Sequence, residues 1–229
     1  DHINSSSSTY HNPGGFDKST YRSTLLDVMD GVIQALQMMV VPDYPTFENH
    51  EEIITGRLME DFLEKDEIQE KFFLKDYRFM PESAAYNSKY KQIGYSDIRV
   101  IVKKKIDAFD TTKADYIIEC KKLDGTNDLN KKYVKEGICR FVEEKYTSKN
   151  VHKVSAMIGY VVSRTDIPAC VQAINDIGRE SELACFKQVL IPCQIRTDFE
   201  YSYYSAHNTT NGNKAEVYHV LFDVSEKIN

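Results

Sequence analysis

The run from Ala114 to Lys122 (ADYIIECKK) ends an apolar strand with a carboxylate and an amine. Successive strand side chains point to opposite faces, so Glu119 and Lys121 project together while Ile118 and Cys120 face the other way. Upstream, Ser96 to Val102 (SDIRVIV) opens a second apolar run with an acid, and Lys103 to Lys113 between the two reads as a hairpin. With its turn near Ala108 and Phe109, antiparallel pairing sets Asp97 opposite Glu119. Two carboxylates and a lysine then converge, a set able to hold a hard divalent cation through oxygen and to keep a fixed positive charge beside it. Taken singly, each residue has a plainer reading: Glu119 and Lys121 as a cross-strand ion pair worth ~0.2–1 kcal/mol, Asp97 as a turn residue at a strand start. Asp115 is a rival to Asp97, because it shares the face of Glu119 and Lys121. It lies ~13 Å along the strand from Glu119, too far for one magnesium with ~2.1 Å ligand bonds, so Asp97 is preferred.

These residues need elements to position them. Leu25, Leu26, Met29, Val32, Ile33, Leu36 and Val40 recur at helical spacing from Ser19 to Val41, and Pro42 and Pro45 end that packing helix. A second helix, capped by Asn49 or Thr46, runs to about Lys65; Ile54, Leu58 and Phe62 form its inward stripe, Glu51 lies in phase with them, and Glu52 is rotated by about 100°. Strands are expected over Lys71–Met80, Asp97–Lys103 and Asp115–Lys122, then a helix capped by Asn127 or Asp128 over Leu129–Tyr146. A buried strand over Val154–Ser163 carries Ala156 and Gly159, which suit a closely packed helix; a helix over Ile167–Ala184 and a strand over Phe186–Ile195 follow. Residues 1–17 read as a flexible arm and 18–229 as a single domain, with a hairpin appended at 199–225 that turns at Asn211 and Gly212. Its tyrosines, Tyr201, Tyr203, Tyr204 and Tyr218, either stack on bases or cover a sheet. That turn puts His219 across from Tyr204, on the opposite face from His207, so the two histidines are not expected to share a zinc.

Asp97 followed by Glu119, Cys120 and Lys121 resembles the D…(D/E)xK signature of the PD-(D/E)xK, restriction-endonuclease-like nuclease superfamily, with Ser96 where many members have proline. The similarity extends, more loosely, from the helix around Glu51 to the strand ending near Ser163. An ExK tripeptide alone carries little in a chain this rich in acids and lysines. Its place on an apolar strand, after a strand that begins with Asp, carries the resemblance.

The resemblance implies an α/β fold with a mixed central sheet flanked by helices. It implies a magnesium-dependent nuclease, with manganese able to substitute, that hydrolyses phosphodiesters as a DNA endonuclease. Small proteins of this kind often act as bacterial restriction or anti-phage effectors beside a protein partner, and a homo-oligomer would serve equally to supply binding surface. By the same resemblance Asp97 and Glu119 are metal ligands, the Cys120 carbonyl adds a third oxygen, and Lys121 positions the water and stabilises developing charge. Glu51, or alternatively Glu52, serves a second metal or its water. Lys122, Lys132, Lys135 and Arg140 would contact phosphates, and Tyr133 a base or the scissile strand. The QxxxY pattern of the exonuclease branch is missing. The alternatives are an RNA-cleaving member and a non-catalytic interaction subunit that keeps the fold.

The formal net charge of −6 argues against a surface that grips nucleic acid all over. A local rim suffices for a metal-dependent nuclease, and Lys103, Lys104, Lys105, Lys121, Lys122, Lys131 and Lys132 are candidates for it, or else a solvated edge. Five cysteines, scattered without CxxC spacing, read as reduced core thiols. The first residues lack the pattern of a signal peptide, and no apolar run approaches the ~20 residues that cross a bilayer. A cytoplasmic protein without a membrane partner is the expectation. No phosphate-cradling GxxxxGK loop occurs.

Overall fold

The middle strands are apolar on both faces and therefore need cover above and below. β3 (Tyr116–Leu123) and β4 (Val154–Val161) are buried along their length except at Lys122, which is half-buried. The structure, a computed structural model, describes residues 18–86, 92–103, 115–145, 152–180 and 189–229, and for 82–86 and 92–96 the backbone alone. The expected N-terminal arm, the turn near Ala108 and Phe109, and Lys104 and Lys105 lie outside the described residues.

The described residues form an α/β fold around a seven-stranded mixed sheet in the order β1-β2-β3-β4-β7-β6-β5. The remaining strands are β1 (Tyr77–Tyr86), β2 (Gln92–Val102), β5 (Ile191–Pro192), β6 (Ser202–Asn208) and β7 (Lys214–Asp223). β4 runs parallel to both β3 and β7, and the other pairs are antiparallel. On one face, α1 (Lys18–Met39), α2 (Glu51–Leu58, prolonged by a π-helical turn over Met59–Leu63) and α3 (Asp66–Lys71) pack with Ile118, Cys120, Ile158 and Val220. The other face carries one segment made of α4 (Asn127–Lys132), a π-helical turn over Tyr133–Ile138 and α5 (Cys139–Val142), and then α6 (Ile167–Glu180). The latter helices pack on Ile117, Met157, Val217 and Leu221.

Several expectations shift against this frame. The strand expected over Lys71–Met80 starts at Tyr77, because Asp66–Lys71 is a short helix with acids in its first turn and a lysine in its last, as the helix dipole favours. β2 begins at Gln92, so Asp97 sits within the strand rather than at its start. The second helix starts after His50 without a side-chain cap from Asn49 or Thr46, and the helix after β3 is capped by Thr126, which accepts from the Leu129 N–H, instead of Asn127 or Asp128. The expected strand over Phe186–Ile195 is reduced to Ile191–Pro192 among the described residues.

The C-terminal hairpin is no appendage. β7 lies inside the sheet beside β4, paired from Val154↔Glu216 to Val161↔Asp223, and it places Tyr203 and Tyr218 in buried positions as sheet cover. Its turn is longer than a two-residue Asn-Gly connection: Asn208 pairs Lys214, and Gly212 takes a left-handed φ of 79°. His219 therefore pairs with Tyr203, one residue away from the expected register, and a one-residue slip moves a side chain to the other face. Among the cysteines, Cys120, Cys170 and Cys193 are free, but Cys139 is disulfide-bonded. That corrects the reading of five reduced thiols and removes the cysteines as support for a cytoplasmic location. Among the described residues, no helix is long and apolar enough to cross a membrane.

Gly159 shows how tightly the helical segment after β3 sits on β4. A Cβ there would lie 2.7 Å from Leu123 Cδ1 and 3.2 Å from both Leu221 Cγ and Tyr133 Cε2. Gly159→Val is expected to destabilise the protein by ~1–3 kcal/mol or more through overpacking, read as a lowered midpoint in urea denaturation; an unchanged midpoint would show that the segment can move away freely.

Candidate functional site

β2 and β3 pair from Val100↔Tyr116 up to Asp97↔Glu119, and there their pairing ends. β3 continues along β4 alone, with Lys121 beside Gly159. The parting of the two strands opens a place at the end of β3 into which Glu51, the first residue of α2, reaches from the opposite layer. Its Oε2 accepts the Lys122 backbone N–H at 3.0 Å and its Oε1 lies 3.2 Å from Lys121 Nζ.

The strand phase holds as expected: Asp97, Glu119 and Lys121 face the same side. Asp97 and Glu119 are 2% and 0% exposed, and Lys121 is buried with them. Lys121 Nζ is 2.8 Å from Glu119 Oε1 and donates to the Cys120 carbonyl at 2.8 Å. From α5, Arg140 Nη1 donates to Glu119 Oε1 at 2.6 Å and to Asp97 Oδ2 at 3.2 Å, so one nitrogen bridges both carboxylates. The Cys120 N–H lies 3.4 Å from Asp97 Oδ1.

Burial and like charge raise Asp97 and Glu51 against the pull of neighbouring cations. Desolvation, then the Glu119 carboxylate, push Asp97 up from 3.8 to about 7, with Lys121 and Arg140 opposing. Burial likewise raises Glu51 above the ordinary glutamate range, with Lys121 and the Lys122 N–H holding it back. For Lys121 burial alone would lower the amine, but Glu119, Glu51 and Asp97 together outweigh it and raise it, so it stays charged.

Beside these residues lies a cleft of ≈ 310 Å³ lined by His50, Glu51, Glu52, Lys121, Lys122, Leu129, Lys132 and Glu136. Glu51 alone of the two helical acids contacts Lys121, although Glu52 also faces the cleft. Among the described residues, no three His, Cys, Asp or Glu side chains gather as a metal-holding group. Side chains thus offer two carboxylates, and the third protein oxygen at hand is the Cys120 carbonyl, taken by Lys121. Two carboxylates and a carbonyl suit magnesium, which keeps several of its waters, better than zinc, which takes three or four side-chain ligands.

The other expected contacts divide. Lys132 lines the cleft, and Lys122 extends its ammonium to the Asn49 carbonyl and Oδ1 at 2.8 and 3.0 Å. Arg140 reaches the two carboxylates while its side chain stays partly exposed. Tyr133 is fully buried and its hydroxyl lies 2.9 Å from His219 Nδ1, which removes it from any surface where a base could be touched. His219 Nε2 and His207 Nε2 each lie 2.8 Å from the Ser205 hydroxyl, so the two histidines share a face and a partner. Burial, with His207 nearby, pushes His219 well below the usual histidine range. Asp115 is held by Arg99, away from Glu119. His50 and Glu136 were not singled out by sequence reasoning; being next to Glu51 and one turn beyond Lys132 was their only signal. Compared with protein-family models, with curated proteins and with solved structures, the chain matches none.

An acid whose folded pKa lies above its unfolded value contributes stability that is full below the unfolded value and is lost as pH rises through the folded one. With Asp97 at about 7 against 3.8, the metal-free protein is expected to lose stability between about pH 4 and pH 7 relative to Asp97→Asn, by an amount on the order of a few kcal/mol. Urea denaturation of both proteins across that range checks it; parallel pH profiles would show that Asp97 is ionised throughout.

Proposed function

We propose that the chain is a magnesium-dependent nuclease with a restriction-endonuclease-like core of the PD-(D/E)xK type, acting as an endonuclease on DNA. The observation that supports this reading best is the convergence of Asp97, Glu119, Lys121 and Glu51, from β2, β3 and α2, at the point where β2 and β3 part. Asp97, Glu119 and the Cys120 carbonyl would hold the cation. Magnesium there supplies charge relief on the phosphate oxygens and a lowered pKa for water. Lys121, kept charged by its three acidic neighbours, orients the attacking water and stabilises charge that develops on phosphate. Glu51 fixes the Lys121 amine in place and offers an outer carboxylate to a second cation or to water. Lys122 and Lys132, which line the cleft, provide a local basic rim in a chain of net charge −6. Work as a restriction or anti-phage effector, with a protein partner or a second copy adding binding surface, is consistent with that limited rim. A role as an interaction subunit without catalysis, and cleavage of RNA, are separated from this reading by the same assays.

Plasmid DNA, single-stranded DNA and RNA incubated with the protein and Mg²⁺ or Mn²⁺ should show cleavage of plasmid, lost with EDTA. Lys121→Ala is expected to reduce cleavage by ~10²-fold or more while metal binding, followed by calorimetry, is largely kept. Wild-type rates in that variant would reject the mechanism.

At limiting Mg²⁺, Glu51→Ala is expected to lose far more activity than Glu52→Ala, because Glu51 touches Lys121 and the end of β3. The two changes alter net charge and helix sequence alike, so a magnesium titration of both isolates the contact. Equal titration curves, or a larger loss from Glu52→Ala, would remove Glu51 from the site.

A further inference from the structure

The cation between Asp97 and Glu119 in this structure is a guanidinium. Arg140 Nη1 lies 2.6 Å from one carboxylate and 3.2 Å from the other, and a single atom that bridges two acids occupies the place a shared metal ion would need. We propose that Arg140 is a resident placeholder: it holds the two carboxylates together without metal, and a divalent cation enters by displacing it.

Two features carry this beyond the contact itself. The two acids are almost fully buried, whereas the Arg140 side chain is 34% exposed, so the arginine has a route to solvent that its partners lack. Finally, Lys121 also sits on Glu119 Oε1 and remains there as a countercharge during the exchange. A displaced guanidinium at the edge of the site carries five N–H donors suited to a phosphate oxygen pair. The arginine would thus pass from the protein's own carboxylates to the anionic substrate as the metal arrives, and would disfavour metal uptake when no phosphate is present to receive it.

The inference rests on the metal-dependent reading above, and its test separates the two. Titration calorimetry with Mg²⁺ and Mn²⁺ is expected to show Arg140→Gln binding about tenfold or more tightly than wild type, with Arg140→Lys, which keeps the charge on a shorter fork-less chain, in between. In the wild type, which needs no altered fold, the Arg140 Nε–Hε resonance is expected to shift and exchange faster with water on saturation with Mg²⁺, and to become protected again when a non-hydrolysable phosphodiester is added. An unmoved Arg140 resonance at saturating Mg²⁺, or binding by a folded Arg140→Gln no tighter than wild type, overturns the exchange and leaves the metal site standing. If neither protein binds either cation, the exchange and the metal-dependent reading both fall.

Discussion

Where β2 and β3 part, Lys121 and Arg140 link three carboxylates: Arg140 joins Asp97 to Glu119, and Lys121 joins Glu119 to Glu51. Asp97 and Glu119 are forced together by the β2–β3 register, and Glu51 is brought over the end of β3 by the start of α2. Buried carboxylates without countercharge each cost several kcal/mol even after relaxation. Lys121 and Arg140 offset that cost, and they come from different elements, β3 and α5. The cluster therefore couples both helical layers to the centre of the sheet through charge, in addition to the apolar packing that holds each layer separately. Burial, and after it the Glu119 carboxylate, still outweigh the two cations at Asp97, which stays raised.

That arrangement needs a rigid backing. β3 is supported on its other side by β4, and β4 by β7, so the C-terminal hairpin stands two strands behind the site. The helical segment that bears Arg140 is fixed to the same backing: Tyr133 packs on Gly159 and meets His219 of β7 through its hydroxyl. Gly137, in the π-helical turn, brings that segment close to Met157 and to the Lys121 stem. A side chain at Gly159 or a shifted hairpin register would thus be felt at Arg140 and Lys121 without touching a carboxylate. Loss of the C-terminal hairpin would expose the apolar edge of β4 as well as free Tyr133.

On the proposed reading, the chemistry turns on the contrast between a fixed and an exchangeable charge. Lys121 is buried and touches two acids and a carbonyl. Arg140, whose side chain is more exposed, bridges the two carboxylates that would hold the cation. One fixed and one exchangeable positive charge would suit a reaction in which metal and phosphate arrive together.

The sequence by itself determined what is local and periodic. Strand alternation put Glu119 and Lys121 on one face, and the single intervening hairpin set Asp97 against Glu119, because antiparallel register is decided over a short stretch of chain. Helical spacing likewise defined α1 and the inward phase of Glu51. What only the tertiary structure decided is of long range or depends on irregular geometry. The parallel pairing of β7 with β4 joins segments about sixty residues apart with no local turn to announce it. The longer turn at Gly212 slipped the hairpin by one residue and so moved His219 to the face of His207. Arg140, expected to contact phosphate, is instead found bridging Asp97 and Glu119; its segment passes through the π-helical turn at Tyr133–Ile138, where bonds run to the fifth residue and counting at 3.6 residues per turn loses phase. Its target was settled by the field of two buried acids, a property of the folded interior that a chain read in order does not contain.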